Sequence, residues 1–234
     1  MDKLQKYKPT DKMIDLIGDN YSLLQVMSRF GLSLGFGDNT VKEVCEMNNV
    51  DCQTFLVVVN FMAEGFSRMD GSADDISIPA LVDYLRQAHI YFLDYCLPAI
   101  RRKLIEAIDC SQDDVSFLIL KFFDGYMREV RKHMEYEEKT VFKYVDTLIH
   151  GNAPKNYQIS TFSKHHDQVG ERLTELKNII IKYCPAKANT NVLNAALFDI
   201  YACEEGLESH CKVEDYLFVP AILKLERRMR ENEK

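Results

Sequence analysis

The stretch "GLESHCKVEDYLFVP", residues 206–220, sets His210 four residues before Glu214. It belongs to a long helical pattern. Ala196, Ile200, Cys203, Leu207, His210, Glu214, Leu217 and Ala221 recur at steps of four and three. That spacing is the core-facing seam of a bundle helix. His210 and Glu214 therefore point inward, and burying such a pair is costly unless something satisfies it.

A second seam repeats the arrangement through Ile119, Phe123, Tyr126, Val130, His133, Glu137, Val141, Tyr144 and Leu148. Two further helical patterns each present one inward histidine. His89 shares a face with Leu85, Phe92 and Cys96, and His166 with Phe162, Val169 and Leu173. The positions are internally symmetric. His89 to His133 and His166 to His210 are both 44 residues, and 89, 133 and 137 map onto 166, 210 and 214 by an offset of 77. Glu138 and Asp215 repeat by the same offset. Each half reads as a helical hairpin turning near Cys110 or Lys187, with arms of roughly 32–35 Å in the first. Pairing the hairpins gathers four imidazoles and two carboxylates at one level of the core. His150 and His165 fall outside this pattern and read as surface residues.

The rest of the chain fits an all-α, up-down four-helix bundle. Four long helices are expected over about 79–107, 111–149, 157–184 and 191 to the end, separated by breaks such as "GNAPKN" and "PAKANT". Ser111 and Asp114 form a cap signal for the second. Before them, "YSLLQVMSRF", "NTVKEVCEMNN" and "DCQTFLVVVNFMAEGF" read as short helices, with Asn39 or Thr40 capping the middle one. The polar "RMDGSADDISIP" reads as a linker. The expected domains are a small helical one over 1–70 and the bundle over 76–234. With only 10 glycines and 6 prolines in 234 residues, hairpins are disfavoured.

The ligand chemistry narrows the metal. Six protein donors exceed the four of a structural Zn²⁺ site, and Ca²⁺ or Mg²⁺ prefer all-oxygen shells. Imidazole with carboxylate suits iron, and paired carboxylates can bridge two ions. The Glu-x-x-His motif of ferritin-like centres is absent, since Arg86, Val130, Ser163 and Leu207 stand three before the histidines. A metal-free polar core is the alternative, and it leaves two buried carboxylates to be satisfied by protons or hydrogen bonds.

"HMEYEE" and "HCKVEDYLFVP" resemble the HxxxE[ED]xxLFP signature of haemerythrin-like HHE domains, and "KHHDQVGERL" and "LVDYLRQAHIYFLDYCLPAIRRKL" resemble their other ligand helices. The four-His, two-Glu set is similar to that of the Repair of Iron Centres family, also called regulators of cell morphogenesis and NO signalling. The N-terminal "RFGLSLGFGDNTVKEVCEMNNVD" resembles the small domain that precedes the bundle there. One departure stands out. Gly35 and Phe36, within "LGFGD", occupy the places of a cysteine pair usual in that family.

The resemblance implies a non-haem di-iron protein, with His89, His133, His166 and His210 as ligands and Glu137 and Glu214 bridging two irons beside an oxo bridge. It implies a role in repairing iron–sulfur clusters damaged by nitrosative or oxidative stress, or in reacting with NO. A reversible O₂ or NO sensor or store is the alternative. The expected partners are NO or O₂ and iron–sulfur proteins as iron acceptors, and a homodimer is allowed. No catalytic group can be named. The net charge of −7 opposes nucleic-acid binding. No apolar run reaches the ~18–20 residues of a membrane span. Seven scattered cysteines without a CxxC, and no signal peptide at the start, lead to an expected cytoplasmic location.

Overall fold

The computed structural model describes residues 6–64, 76–108, 114–152, 157–164, 167–185 and 188–232. The chain is all-α, with short N-terminal helices followed by an up-down bundle of long ones. Among the described residues there is no β-strand, and one isolated antiparallel bridge joins Lys12 to Thr40. The contacts gather the chain into two compact units, residues 1–88 with 212–234, and residues 89–211. Both boundaries fall inside continuous helices.

In the first unit, α1 (Met13–Asp19), α2 (Leu23–Arg29), α3 (Val41–Met47) and α4 (Cys52–Glu64) follow one another closely. Gly31 ends α2 at φ 73°, while Leu32 N–H closes back on Met27 C=O at 2.9 Å. Thr40 opens α3 with a capping box. Its hydroxyl accepts from Glu43 N–H at 3.3 Å, and its own N–H donates to Glu43 Oε2 at 2.7 Å. These donors hold the Glu43 carboxyl below its ordinary value. The run Thr54–Phe61 of α4 is buried all round, as an apolar helix in a core must be. Phe30 packs edge-on to Phe55 and tilted on Tyr84, with centroids at 5.4 and 4.8 Å. Gly35 sits at φ 91°, so this turn is shaped for glycine, and a cysteine there would be strained.

The bundle has four rods, which do not follow the division into units. Its first rod runs through α5 (Ile78–Ile90), a π-helical stretch Tyr91–Cys96 and α6 (Leu97–Ala107). The second is α7 (Asp114–Tyr136), a π turn Glu137–Val141 and α8 (Phe142–Ile149). The third begins as a 3₁₀ turn, Ile159–Lys164, and continues as α9 (Asp167–Tyr183). The fourth is α10 (Thr190–Val213), followed by a π turn Glu214–Phe218 and α11 (Val219–Asn232). Asn189 N–H donates to Ala107 C=O at 2.8 Å, so the first rod ends where the fourth begins, as up-down topology requires. Ion pairs Arg101–Asp124 and Lys103–Asp199, both at 2.6 Å, tie the first rod to the second and the fourth.

Every position of the fourth-rod seam is buried, and so is every position of the second-rod seam except half-buried His133. Tyr126 and Tyr144 behave as core aromatics. Tyr144 packs on Tyr157 at 4.8 Å, and the Tyr126 hydroxyl has no hydrogen-bond partner among the described residues. Burial pushes that phenol well above its ordinary pKa. The Ser111 cap, the hairpin-turn residues Cys110 and Lys187, His165, His166 and residues 68–75 of the expected linker lie outside the described residues. His150 ends α8, its Nδ1 2.8 Å from the Asp146 carbonyl.

Candidate metal centre

Three helices of the bundle bring His89, His133, Glu137 and His210 to one level. The antiparallel register explains this. The first rod rises from His89 while the second and fourth descend to His133 and His210, so inward seams meet two turns below Cys96, Tyr126 and Cys203. His89 and His210 are 3% and 1% exposed, and Glu137 is fully buried. Their rings meet edge to face, with centroids 5.2 Å apart at 67°. Phe142 stacks on His89 at 5.5 Å and 11°, and Phe92 meets His210 at 6.1 Å. These aromatics keep the imidazoles dry and fix their planes.

Glu137 stands between two histidines. Its Oε2 lies 3.0 Å from His89 Nε2, and its Oε1 lies 2.9 Å from His133 Nε2. His89 also contacts Glu138, Nδ1 to Oε1, at 2.9 Å. A neutral imidazole has one N–H, so it can donate to only one of these carboxylates. If Nδ1–H donates to Glu138, the Nε2 lone pair faces the Glu137 oxygen. An additional proton or a cation must then separate the two. Two donors each about 2.1 Å from one ion, at right angles around it, lie about 3.0 Å apart. The observed separations match that value at both oxygens of Glu137. The donor set, two buried imidazoles and a buried carboxylate, fits a metal ion.

Glu214 follows one turn after His210 and is fully buried. One ligand atom each from His89, Glu137, His210 and Glu214 lies within 4.8 Å of the others. All three π-helical stretches adjoin this level. Tyr91–Cys96 follows His89, and the other two begin at Glu137 and at Glu214. A π turn inserts an extra residue and widens the helix locally, and such insertions recur at functional sites. At Glu137–Val141 the widening lets consecutive carboxylates, Glu137 and Glu138, reach the two nitrogens of one imidazole.

Of the six residues expected from the sequence, His89, Glu137, His210 and Glu214 meet in that cluster, and His133 reaches Glu137. His166 lies outside the described residues. Two contributions were not read from the sequence: the Glu138 contact and the aromatic cover from Phe92 and Phe142. The 77-residue repeat of Glu138 in Asp215 was the available signal for the first.

Residues 80–222 match the family model of the hemerythrin HHE cation binding domain. The chain belongs to the hemerythrin HHE family. The match spans well over half of the chain and contains every one of the six expected ligands. No curated protein matches the chain. The HHE domain thus gives the His/Glu cluster its plainest reading, a cation site. No described helix is long and apolar enough to cross a membrane.

Proposed function

We propose that the chain is a cytosolic non-haem di-iron protein of the nitrosative and oxidative stress response, acting in the repair of damaged iron–sulfur clusters or in reaction with NO. The observation that carries the di-iron part is Glu137, whose two oxygens face two different imidazoles at cis-ligand distance. A carboxylate so placed suits a bridge between two ions. His89 and His210 would hold one ion and His133 and His166 the other, with Glu137 and Glu214 shared. Bound iron supplies open coordination positions for a small gaseous ligand and can exchange with a neighbouring acceptor. The protein's own part is to hold the donors in place, with Glu138 fixing the His89 tautomer, and to exclude water with Phe92 and Phe142. In the same reading residues 1–70 form a separate N-terminal domain, the partners are NO or O₂ and iron–sulfur proteins, and neither nucleic acid nor membrane is involved.

The test is iron transfer. The anaerobically loaded protein is mixed with an apo iron–sulfur protein and sulfide, and cluster formation is followed by absorbance. A repair protein loses iron to the acceptor in step with cluster assembly. Full retention of iron, together with reversible binding of NO or O₂, would instead establish a gas store or sensor.

A further inference from the structure

The ligand level is not equally closed on all sides. His89 and His210 are 3% and 1% exposed and Glu137 is fully buried, whereas the His133 side chain keeps 13% of its surface. Phe142 and Phe92, both fully buried, cover the first two imidazoles. Among the described ligands, His133 is therefore the one that water reaches. Two tyrosines stand beside it. Tyr136 follows His133 by three residues on α7, so it flanks the imidazole on the helix surface. Its hydroxyl lies 3.4 Å from that of Tyr157, which precedes the third rod. The Tyr157 ring meets Tyr144 edge to face, with centroids 4.8 Å apart at 62°. Tyr144 lies two turns beyond Glu137 on the same seam. The Tyr157 side chain thus runs along the second rod from Tyr144 to Tyr136, past the level of Glu137.

The hold on Tyr157 is uneven. Ile159 and Phe162, both fully buried, anchor the 3₁₀ turn that follows it. Thr161 tightens that turn, its N–H and its hydroxyl both donating to Gln158 C=O, at 3.1 and 2.7 Å. Tyr157 itself is half-buried. Its contact with Tyr136 is longer than the usual ~2.5–3.0 Å of a hydroxyl pair, hence weak. Burial pushes the Tyr157 phenol well up, so it stays protonated near neutral pH.

We propose that small solutes and the metal itself enter and leave the centre past His133, and that the Tyr136–Tyr157 hydroxyl contact is the gate that slows them. The metal half of this rests on the di-iron reading above. The gate opens when the two hydroxyls part and the Tyr157 side chain turns away, while Ile159 and Phe162 keep the following turn in place. The phenols then exchange one weak hydrogen bond for bonds to water, so opening costs little. His89 and His210 stay covered by Phe142 and Phe92, so an ion held through them leaves after one held through His133.

The full-length protein, stripped with chelator, is treated with diethyl pyrocarbonate and mapped by peptide mass spectrometry, with exposed His150 as the internal standard. His133 is expected to be modified before His89 and His210. Tyr136→Phe and Tyr157→Phe should each speed that modification about 2- to 5-fold, the lower end of what one hydrogen bond is worth. The double variant should add nothing further, because both substitutions remove the same contact. Tyr95→Ala, at an exposed tyrosine of the first rod, should change nothing. In the anaerobically iron-loaded protein the two phenylalanine variants should speed iron loss to a chelator by a similar factor. Modification of His89 or His210 ahead of His133, unchanged rates in both single variants, or additive effects in the double variant would overturn the proposal. A chain that takes up no iron defeats the di-iron reading instead, and the labelling then decides the access route by itself.

Discussion

At the residue scale, Glu137 and Glu138 divide the work around His89. Glu138 touches the nitrogen that faces away from the cluster, the usual place of a carboxylate that orients a metal-bound imidazole. Glu138→Ala is expected to weaken metal affinity about 10- to 100-fold, with Glu138→Gln closer to wild type. A competitive chelator titration measures both. Glu137 separates the metal account from a purely structural polar core. With chelator present, Glu137→Gln should unfold in urea at or above the wild-type midpoint, because it removes a buried charge. A structural hydrogen-bond network would lose about 1–3 kcal/mol instead. His89, His133, Glu137, His210 and Glu214 were legible because each sits on an apolar seam at helical spacing. The Glu138 contact was not, because its position in a regular α-helix would rotate it away from the face of Glu137.

At the element scale, the seams were legible and the π turns were not. Apolar residues at steps of three and four announce a buried face whatever the local hydrogen bonding. A single inserted residue has no composition of its own. The turn Glu137–Val141 contains Lys139, which is exposed and pairs along its own helix with Glu135 at 2.7 Å. Deleting Lys139 should restore a regular helix and leave the far-ultraviolet circular dichroism of the bundle unchanged. Metal affinity should fall by more than about tenfold as the carboxylates lose their aim. Between rods, the paired hydrogen bonds of Arg101 to Asp124, at 2.6 and 3.1 Å, hold that carboxyl below the usual carboxylate range. A lowered folded-state pKa stabilises the protein above the unfolded value and is lost as pH falls through the folded one. Asp124→Asn should thus cost about 0.5–1 kcal/mol near neutral pH, since the pair is partly exposed. The difference should vanish in strong acid, as pH-dependent urea melts would show.

At the scale of the whole molecule, the buried ligand level links folding to metal. An ion that binds the folded state alone stabilises it by about 4 kcal/mol at a thousandfold excess over its dissociation constant. The assignment of helices to a bundle followed from length and seam periodicity, and of the histidines in the repeat at 77 residues, His89, His133 and His210 lie among the described residues. The meeting of His89 with His210 needed the antiparallel register, which no single helix reveals. The turn at Asn49 was not legible, because its left-handed backbone has only a weak sequence signal.

Metal analysis after anaerobic purification tests the central claim most directly. The account predicts about two irons per chain in the wild type, a marked loss in His210→Ala, and an oxo-to-iron absorption band on oxidation. Fewer than about one bound iron per chain, no such band, and a His210→Ala variant as stable as the wild type would contradict it.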